Sequence, residues 1–207
     1  MSIKKAYNVW ASQYDTNENK TRDLDRKSTV ETLSKYDFES VLELGCGTGK
    51  NTKWLLEKAK RIIGLDFSQE MLNKAKEKIS DERVVFAKSD LNKNWEIDNE
   101  FADLITCSLT LEHIEKLDHI FNQVNLKLKK NGLFFISELH PFKQYSGSKA
   151  RYKTENGTKE LEVYTHHITE YINDAKRSGL ELVEMNEWFD ENTEKGLPRL
   201  ISFVFKK

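Results

Sequence analysis

The stretch Val41-Leu42-Glu43-Leu44-Gly45-Cys46-Gly47-Thr48-Gly49-Lys50 constrains this chain more than any other. It reads as a short buried strand, a glycine-rich turn and the opening of a helix. Without a Cβ, glycine lets backbone N–H groups approach a ligand closely. The helix start behind the turn adds unpaired donors and a partial positive charge. The segment is therefore a cradle for a cofactor, and the spacing limits which one. A dinucleotide fingerprint, G-x-G-x-x-G, needs a third glycine where Lys50 stands. A P-loop, G-x-x-x-x-G-K-[ST], needs glycine in place of Leu44 and a hydroxyl in place of Asn51.

From Val41 onward, short apolar runs alternate with helix-period segments, the pattern of a parallel α/β sheet. Strands are expected at 41–44, 61–66, 84–87, 102–108, 133–139, 180–188 and 198–205, the last with Pro198 at its first position. Helices are expected at 50–60, from the Ser68 cap to Ile79, and at 168–178, closed by Gly179. Another carries Leu117, Ile120, Phe121, Val124 and Leu128 and stops at Asn131-Gly132. Only a loop separates the last two strands, which suits an antiparallel pair. Residues 1–40 read as helices with Tyr7, Trp10 and Tyr14 on one face. Asn156-Gly157 marks a hairpin between 151–155 and 158–164.

The 207 residues suffice for one domain with a substantial core. A net charge of −1 argues against a broad nucleic-acid or membrane surface held by positive charge. No apolar run approaches the ~20 residues of a membrane span. Met1-Ser2-Ile3-Lys4-Lys5 leads into mixed polar sequence rather than an apolar leader, so a cytoplasmic location is expected. Two cysteines, Cys46 and Cys107, make neither a disulfide framework nor a four-ligand metal site.

The pattern Glu43-Leu44-Gly45-Cys46-Gly47-Thr48-Gly49 resembles motif I of the class I S-adenosylmethionine-dependent methyltransferases. The resemblance extends over nearly the whole chain, to compact bacterial enzymes acting on small molecules. It implies a Rossmann-like, doubly wound, mostly parallel seven-stranded α/β sheet with an antiparallel last strand and helices on both faces. It also implies one domain. Residues 1–40 would be a helical lid, 41–140 the cofactor core, 141–164 a cap with a hairpin, and 165–207 the final helix and strand pair.

S-adenosylmethionine (product S-adenosylhomocysteine) would need a different partner for each of its parts. Asp66, ending the second strand, would accept both ribose hydroxyls. Phe67 would pack on adenine, with Met71 one turn on. Asp90 and Leu91 would read the adenine amino group. Gly45, Gly47 and Thr48 would give close backbone approach, and Glu43 would bind the ammonium directly or through water. Ser108 lies near the methionine arm. Arg22 would clamp the tail carboxylate, and Tyr14 resembles lid aromatics. Each has a plainer alternative: a strand-end aspartate also caps helices, an exposed arginine pairs with Asp25, and aromatics at helical spacing pack.

Transfer from a sulfonium chiefly requires alignment and exclusion of water. Candidate bases are His113 and His140, beside Glu112, Glu138, His166 and His167. The place after the fourth strand reads Cys107-Ser108-Leu109-Thr110, not [DN]-P-P-[YF]. Methyl transfer to an O, N or C atom of a small-molecule acceptor is the expected function. An RNA or protein methyltransferase, a non-catalytic S-adenosylmethionine-binding module and an NAD-linked oxidoreductase are the alternatives.

Overall fold

The computed structural model describes residues 3–11, 14–16, 18–147, 151–154, 157–160, 163–190 and 196–207. Five strands run parallel: β1 (Ser40–Leu44), β2 (Arg61–Asp66), β3 (Val84–Lys88), β4 (Ala102–Ser108) and β5 (Leu128–Leu139). A separate hairpin pairs β6 (Arg151–Thr154) with β7 (Gly157–Glu160); its turn residues Glu155 and Asn156 lie outside the described residues. β8 (Glu181–Trp188) and β9 (Leu200–Lys206) complete a seven-stranded sheet of order β3-β2-β1-β4-β5-β9-β8. As expected, β9 is antiparallel to both its neighbours.

Alternation of side chains along the buried strands feeds two cores. In β5, Phe134 and Ile136 join the core under α5 (Asp118–Lys127) and α7 (Ile168–Arg177). Phe135 joins the opposite core, with Leu33 of α2 (Lys20–Leu33) and Trp54 and Leu55 of α3 (Lys50–Leu55). α4 (Gln69–Lys78) packs Leu72 and Ala75 on Phe86 of β3. The remaining helices, α1 (Ile3–Trp10) and α6 (Pro141–Tyr145), lie outside both cores. Among the described residues, no helix is long and apolar enough to cross a membrane.

Several boundaries differ from expectation. α5 stops at Lys127, and Leu128 already pairs with Ala102. The next pair is Leu104–Leu133, so 129–132 form an irregular excursion in which Asn131 has φ +65°. Asn131-Gly132 thus marks a kink inside a strand rather than a helix end. α3 ends at Leu55, where Glu57 and Lys58 turn to i−3 bonds on Trp54 and Leu55. Pro198 precedes β9 instead of opening it. Tyr14 sits in a turn after α1, not on a helix, and the Trp10 side chain lies outside the described residues.

Asp103 clips the sheet's lower edge. Its Oδ2 accepts from the Ser40 amide (2.9 Å) and hydroxyl (2.8 Å), and its Oδ1 from Lys129 Nζ (2.8 Å). Burial raises its pKa, but the Lys129 and Ser40 bonds win and hold it at about 2. A folded pKa below the unfolded value of about 3.9 means stability that is present above pH 4 and lost as pH falls towards 2. Asp103→Asn should therefore lower stability by about 1–2 kcal/mol in urea unfolding at pH 7. The difference from wild type should vanish near pH 2.

Candidate active site

The turn after β1 is held from the neighbouring strand. The Cys46 amide donates to the Leu65 carbonyl at 2.9 Å. The Gly47 amide donates to Asp66 Oδ2 (2.9 Å) and the Ser68 amide to Oδ1 (2.8 Å). Asp66 is buried, and burial pushes its pKa up to about 6 despite these amide donors. Gly45 and Gly47 both adopt positive φ, +67° and +54°. A Cβ at 45 would stand 2.1 Å from Thr110 Oγ1, whereas at 47 it would meet nothing within 4 Å.

Above the turn lies a cavity of about 280 Å³. Tyr14, Gly45, Gly47, Asp66, Phe67, Met71, Asp90, Leu91, Ser108 and His113 all line it, together with Tyr7. A smaller pocket of about 50 Å³ shares Tyr14, Gly45, Gly47 and Ser108 and adds Arg22, Asp25, Glu43 and Thr48. Every cofactor residue read from the sequence thus faces one of two adjoining spaces. The larger is walled by aromatic and apolar side chains. The smaller holds two cations, Arg22 and Lys50, and two carboxyl groups, Asp25 and Glu43.

The smaller pocket is built on the first turns of α2. Asn19 caps that helix, accepting from the Arg22 amide at 3.1 Å. The Arg22 guanidinium lies 4.3 Å over the Tyr14 ring and donates to the Tyr14 carbonyl. Glu43 accepts from the Thr52 hydroxyl, and burial raises its pKa to about 8. Asp25 is buried; its Oδ2 accepts from Asn51 at 3.2 Å, with the Ser108 and Ser137 hydroxyls nearby. Asp25 escaped the sequence reading as a ligand-facing group. Its three-residue offset from Arg22 was the available signal.

The segment before α2 covers the large cavity through side-chain ties. Tyr7 OH is 2.8 Å from His113 Nε2, and its ring meets Phe67 edge-on at 5.7 Å. Ser68 Oγ donates to Asn8 Oδ1 at 2.6 Å. Asp15 accepts from Thr48 Oγ1 at 2.8 Å and pairs with Lys78. The Thr48 side chain therefore anchors the cover, a role that its backbone assignment did not include.

Residues 42–136 match the family profile of the methyltransferase domain. The matched segment runs from β1 into β5, and the chain as a whole has the fold of the S-adenosylmethionine-dependent methyltransferases. The chain is 33% identical over 125 residues to an uncharacterised methyltransferase of Schizosaccharomyces pombe, covering 56% of this chain. It spans 44% of that relative's length. A methyltransferase structure from Mesorhizobium loti superposes with TM-score 0.75 at 20% identity, covering 89% of this chain and 98% of the other. The N-methyltransferase NodS of Bradyrhizobium japonicum, in complex with S-adenosyl-L-homocysteine, gives 0.73 at 14% identity, over 100% and 99% of the chains. At these identities the two structures speak for the fold.

The fold separates the candidate bases. His113 lines the large cavity. His140 does not: its Nδ1 caps α6 by accepting from the Phe142 amide (3.2 Å), and its Nε2 meets Glu187 Oε1 (3.1 Å). Its ring nitrogens are thus engaged by α6 and by Glu187 of β8, away from the cavity that His113 lines. His166 points at the Leu111 and Ile114 carbonyls, and His167 bonds Tyr145. Glu138 Oε1 accepts from the Thr110 and Leu111 amides, both at 2.8 Å, and burial lifts its pKa to about 8.

The two glycines provide a steric test. Both positions carry the backbone strain of a positive φ, but only position 45 faces a wall. Gly45→Ala should cost about 1–3 kcal/mol more stability than Gly47→Ala in urea unfolding.

Proposed function

We propose that this protein transfers the methyl group of S-adenosylmethionine to an O, N or C atom of a small-molecule acceptor. One observation carries the reading: an aromatic-walled cavity of about 280 Å³ opens directly onto a pocket holding Arg22, Asp25 and Glu43. The residues fit the cofactor. Asp66 keeps lone pairs for a ribose diol beside its two amide donors. Phe67, Met71 and Leu91 offer an apolar slot for adenine, with Asp90 at its rim. The small pocket is charge-complementary to an amino-acid zwitterion, Arg22 for the carboxylate and Glu43 with Asp25 for the ammonium. The space beside Gly47 leaves the backbone approachable. When bound, the cofactor supplies an electrophilic methyl group on a sulfonium.

The chain's own part is alignment, exclusion of water and removal of a proton. Tyr7, Tyr14, Phe67 and His113 narrow the space left for an acceptor, which favours a small molecule over a polymer. Burial raises the Tyr7 pKa well above the ordinary phenol range, so the phenol stays protonated. Its contact with His113 Nε2 gives a path by which a proton taken at the Tyr7 oxygen passes to the imidazole. Residues 1–40 act as the lid and 141–164 as a cap in this reading. With an acceptor that is turned over, His113→Gln should lower kcat by about 10²–10⁴ and leave S-adenosylhomocysteine affinity within about threefold.

Calorimetry with S-adenosylhomocysteine tests the cofactor half. Micromolar binding is expected, and no binding at millimolar concentration would overturn the proposal. Hydroxyl donors favour the Asp66 carboxylate, so affinity should fall as pH drops through about 6. Glu43 is largely protonated below about 8 in the free protein. An incoming ammonium should displace that proton, so binding enthalpy at pH 7 should differ between phosphate and Tris buffers. Asp25→Asn should weaken S-adenosylhomocysteine at least tenfold, yet leave 5′-methylthioadenosine, which lacks the amino-acid tail, unchanged.

A further inference from the structure

A second cleft of about 280 Å³ lies on the far side of Arg22, between α2, the start of α3 and the end of α4. Of its lining residues, only Arg22 was given a role in the proposed cofactor site. Five cations line it, Arg22, Arg26, Lys50, Lys53 and Lys78, against two carboxylates, Asp15 and Asp23. The excess is three positive charges in a chain whose net charge is −1, so the rest of the chain carries −4. Both carboxylates are already engaged: Asp23 by Lys50 at 2.9 Å, and Asp15 by Lys78. Among the described residues, Arg26 and Lys53 have no carboxylate partner. The cations come as facing pairs, 22 and 26 one turn apart on α2, 50 and 53 one turn apart on α3. Like charges at such spacing repel, and two facing pairs compound the cost. A multivalent anion between them would remove it.

We infer that this cleft is a binding site for a compact phosphoryl anion, with Arg26 and Lys53 as its principal contacts. An excess of three positive charges matches two linked phosphoryl groups better than one carboxylate. Guanidinium and ammonium donors both suit phosphate oxygens, the former in a two-pronged manner. The net −4 of the rest of the chain opposes a long polyanion, so a small ligand is favoured over a nucleic-acid strand. The cleft shares no lining residue with the aromatic cavity, but it shares Arg22 and Lys50 with the small pocket. Arg26 and Lys53 line neither of those spaces, so a phosphoryl ligand held by them is separate from the cofactor.

Inorganic diphosphate is the probe, titrated calorimetrically into the full chain at low ionic strength. Wild type should bind one equivalent, and Arg26→Glu/Lys53→Glu should bind at least tenfold more weakly. The double variant should keep its wild-type affinity for S-adenosylhomocysteine, which shows that the fold survives. Lys116→Glu/Lys176→Glu makes the same change in net charge at exposed positions elsewhere, and should alter diphosphate affinity by less than threefold. The inference is overturned if wild type fails to bind at about 5 mM, a free energy of only about −3 kcal/mol, or if the two double variants lose affinity equally. A single-stranded RNA dodecamer that binds more tightly than diphosphate, with the same dependence on Arg26 and Lys53, would also overturn it in favour of a polymer surface.

Discussion

The Asp66 carboxylate ties together the ends of two neighbouring strands. One oxygen holds the Gly47 amide of the turn after β1, the other the Ser68 amide at the start of α4. Ser68 in turn caps α4 by accepting from the Met71 amide and reaches Asn8 of the cover. The glycine turn, the adenine slot and the lid therefore take their positions from one buried acid. Such an acid is costly to ionise. Its folded pKa, about 6, lies above the unfolded value near 3.9. The cost is absent below pH 4, grows as pH rises and levels off above about 6. Glu43, raised to about 8, carries the same penalty over a wider range. At neutral pH the empty site thus weakens the fold, and partners for these carboxyl groups restore stability. Affinity and instability share one cause here.

The cover follows the same economy of contacts. Besides the buried Ala6 and Ala11, discrete polar ties hold the described part of residues 3–16, between Tyr7 and His113, Asn8 and Ser68, and Asp15 with Thr48 and Lys78. Each tie ends on an element that also lines a cavity or caps a helix beside one. Hydrogen bonds of this kind each contribute about 1 kcal/mol. A cover held by a handful of them opens at far lower cost than the sheet unfolds. Ligand access and release therefore require breaking local contacts only.

Much of this arrangement was legible in the residues. The strands at 61–66 and 102–108 were bounded correctly because apolar runs between charged or glycine-bearing breaks leave little choice. The antiparallel β9 followed from a connection too short for a crossover. Asp66 was legible because a strand end beside a glycine turn fixes where a carboxylate must point. Asn131-Gly132 misled: the same pair that ends helices also permits the positive φ of a strand irregularity, and only pairing with β4 decides. The direction of His140 was hidden because it depends on Pro141 turning the chain into α6, a matter of tertiary contact with Glu187. Thr48 hid a second role, since nothing local links it to Asp15.

α2 shows why the remaining part could not be read from periodicity. Its buried positions are Arg22, Asp25, Ser28, Thr29, Thr32 and Leu33, a face almost without apolar side chains. By hydrophobic pattern such a helix belongs on the surface. It is buried because its partners are polar too: Ser28 Oγ meets Ser137 Oγ of β5 at 2.9 Å and also donates to the Asp25 carbonyl. A helix that packs on a sheet through hydroxyls gains less from burial than an apolar one. What it gains is placement, because the same geometry delivers Arg22 and Asp25 to the small pocket and turns Arg26 outward to the basic cleft. Charge on this helix is sorted by direction. Inward, a cation and a carboxylate stand beside Glu43. Outward, cations gather opposite those of α3. Arg22 lines both spaces, so the helix is the wall between a site suited to a zwitterion and one suited to an anion.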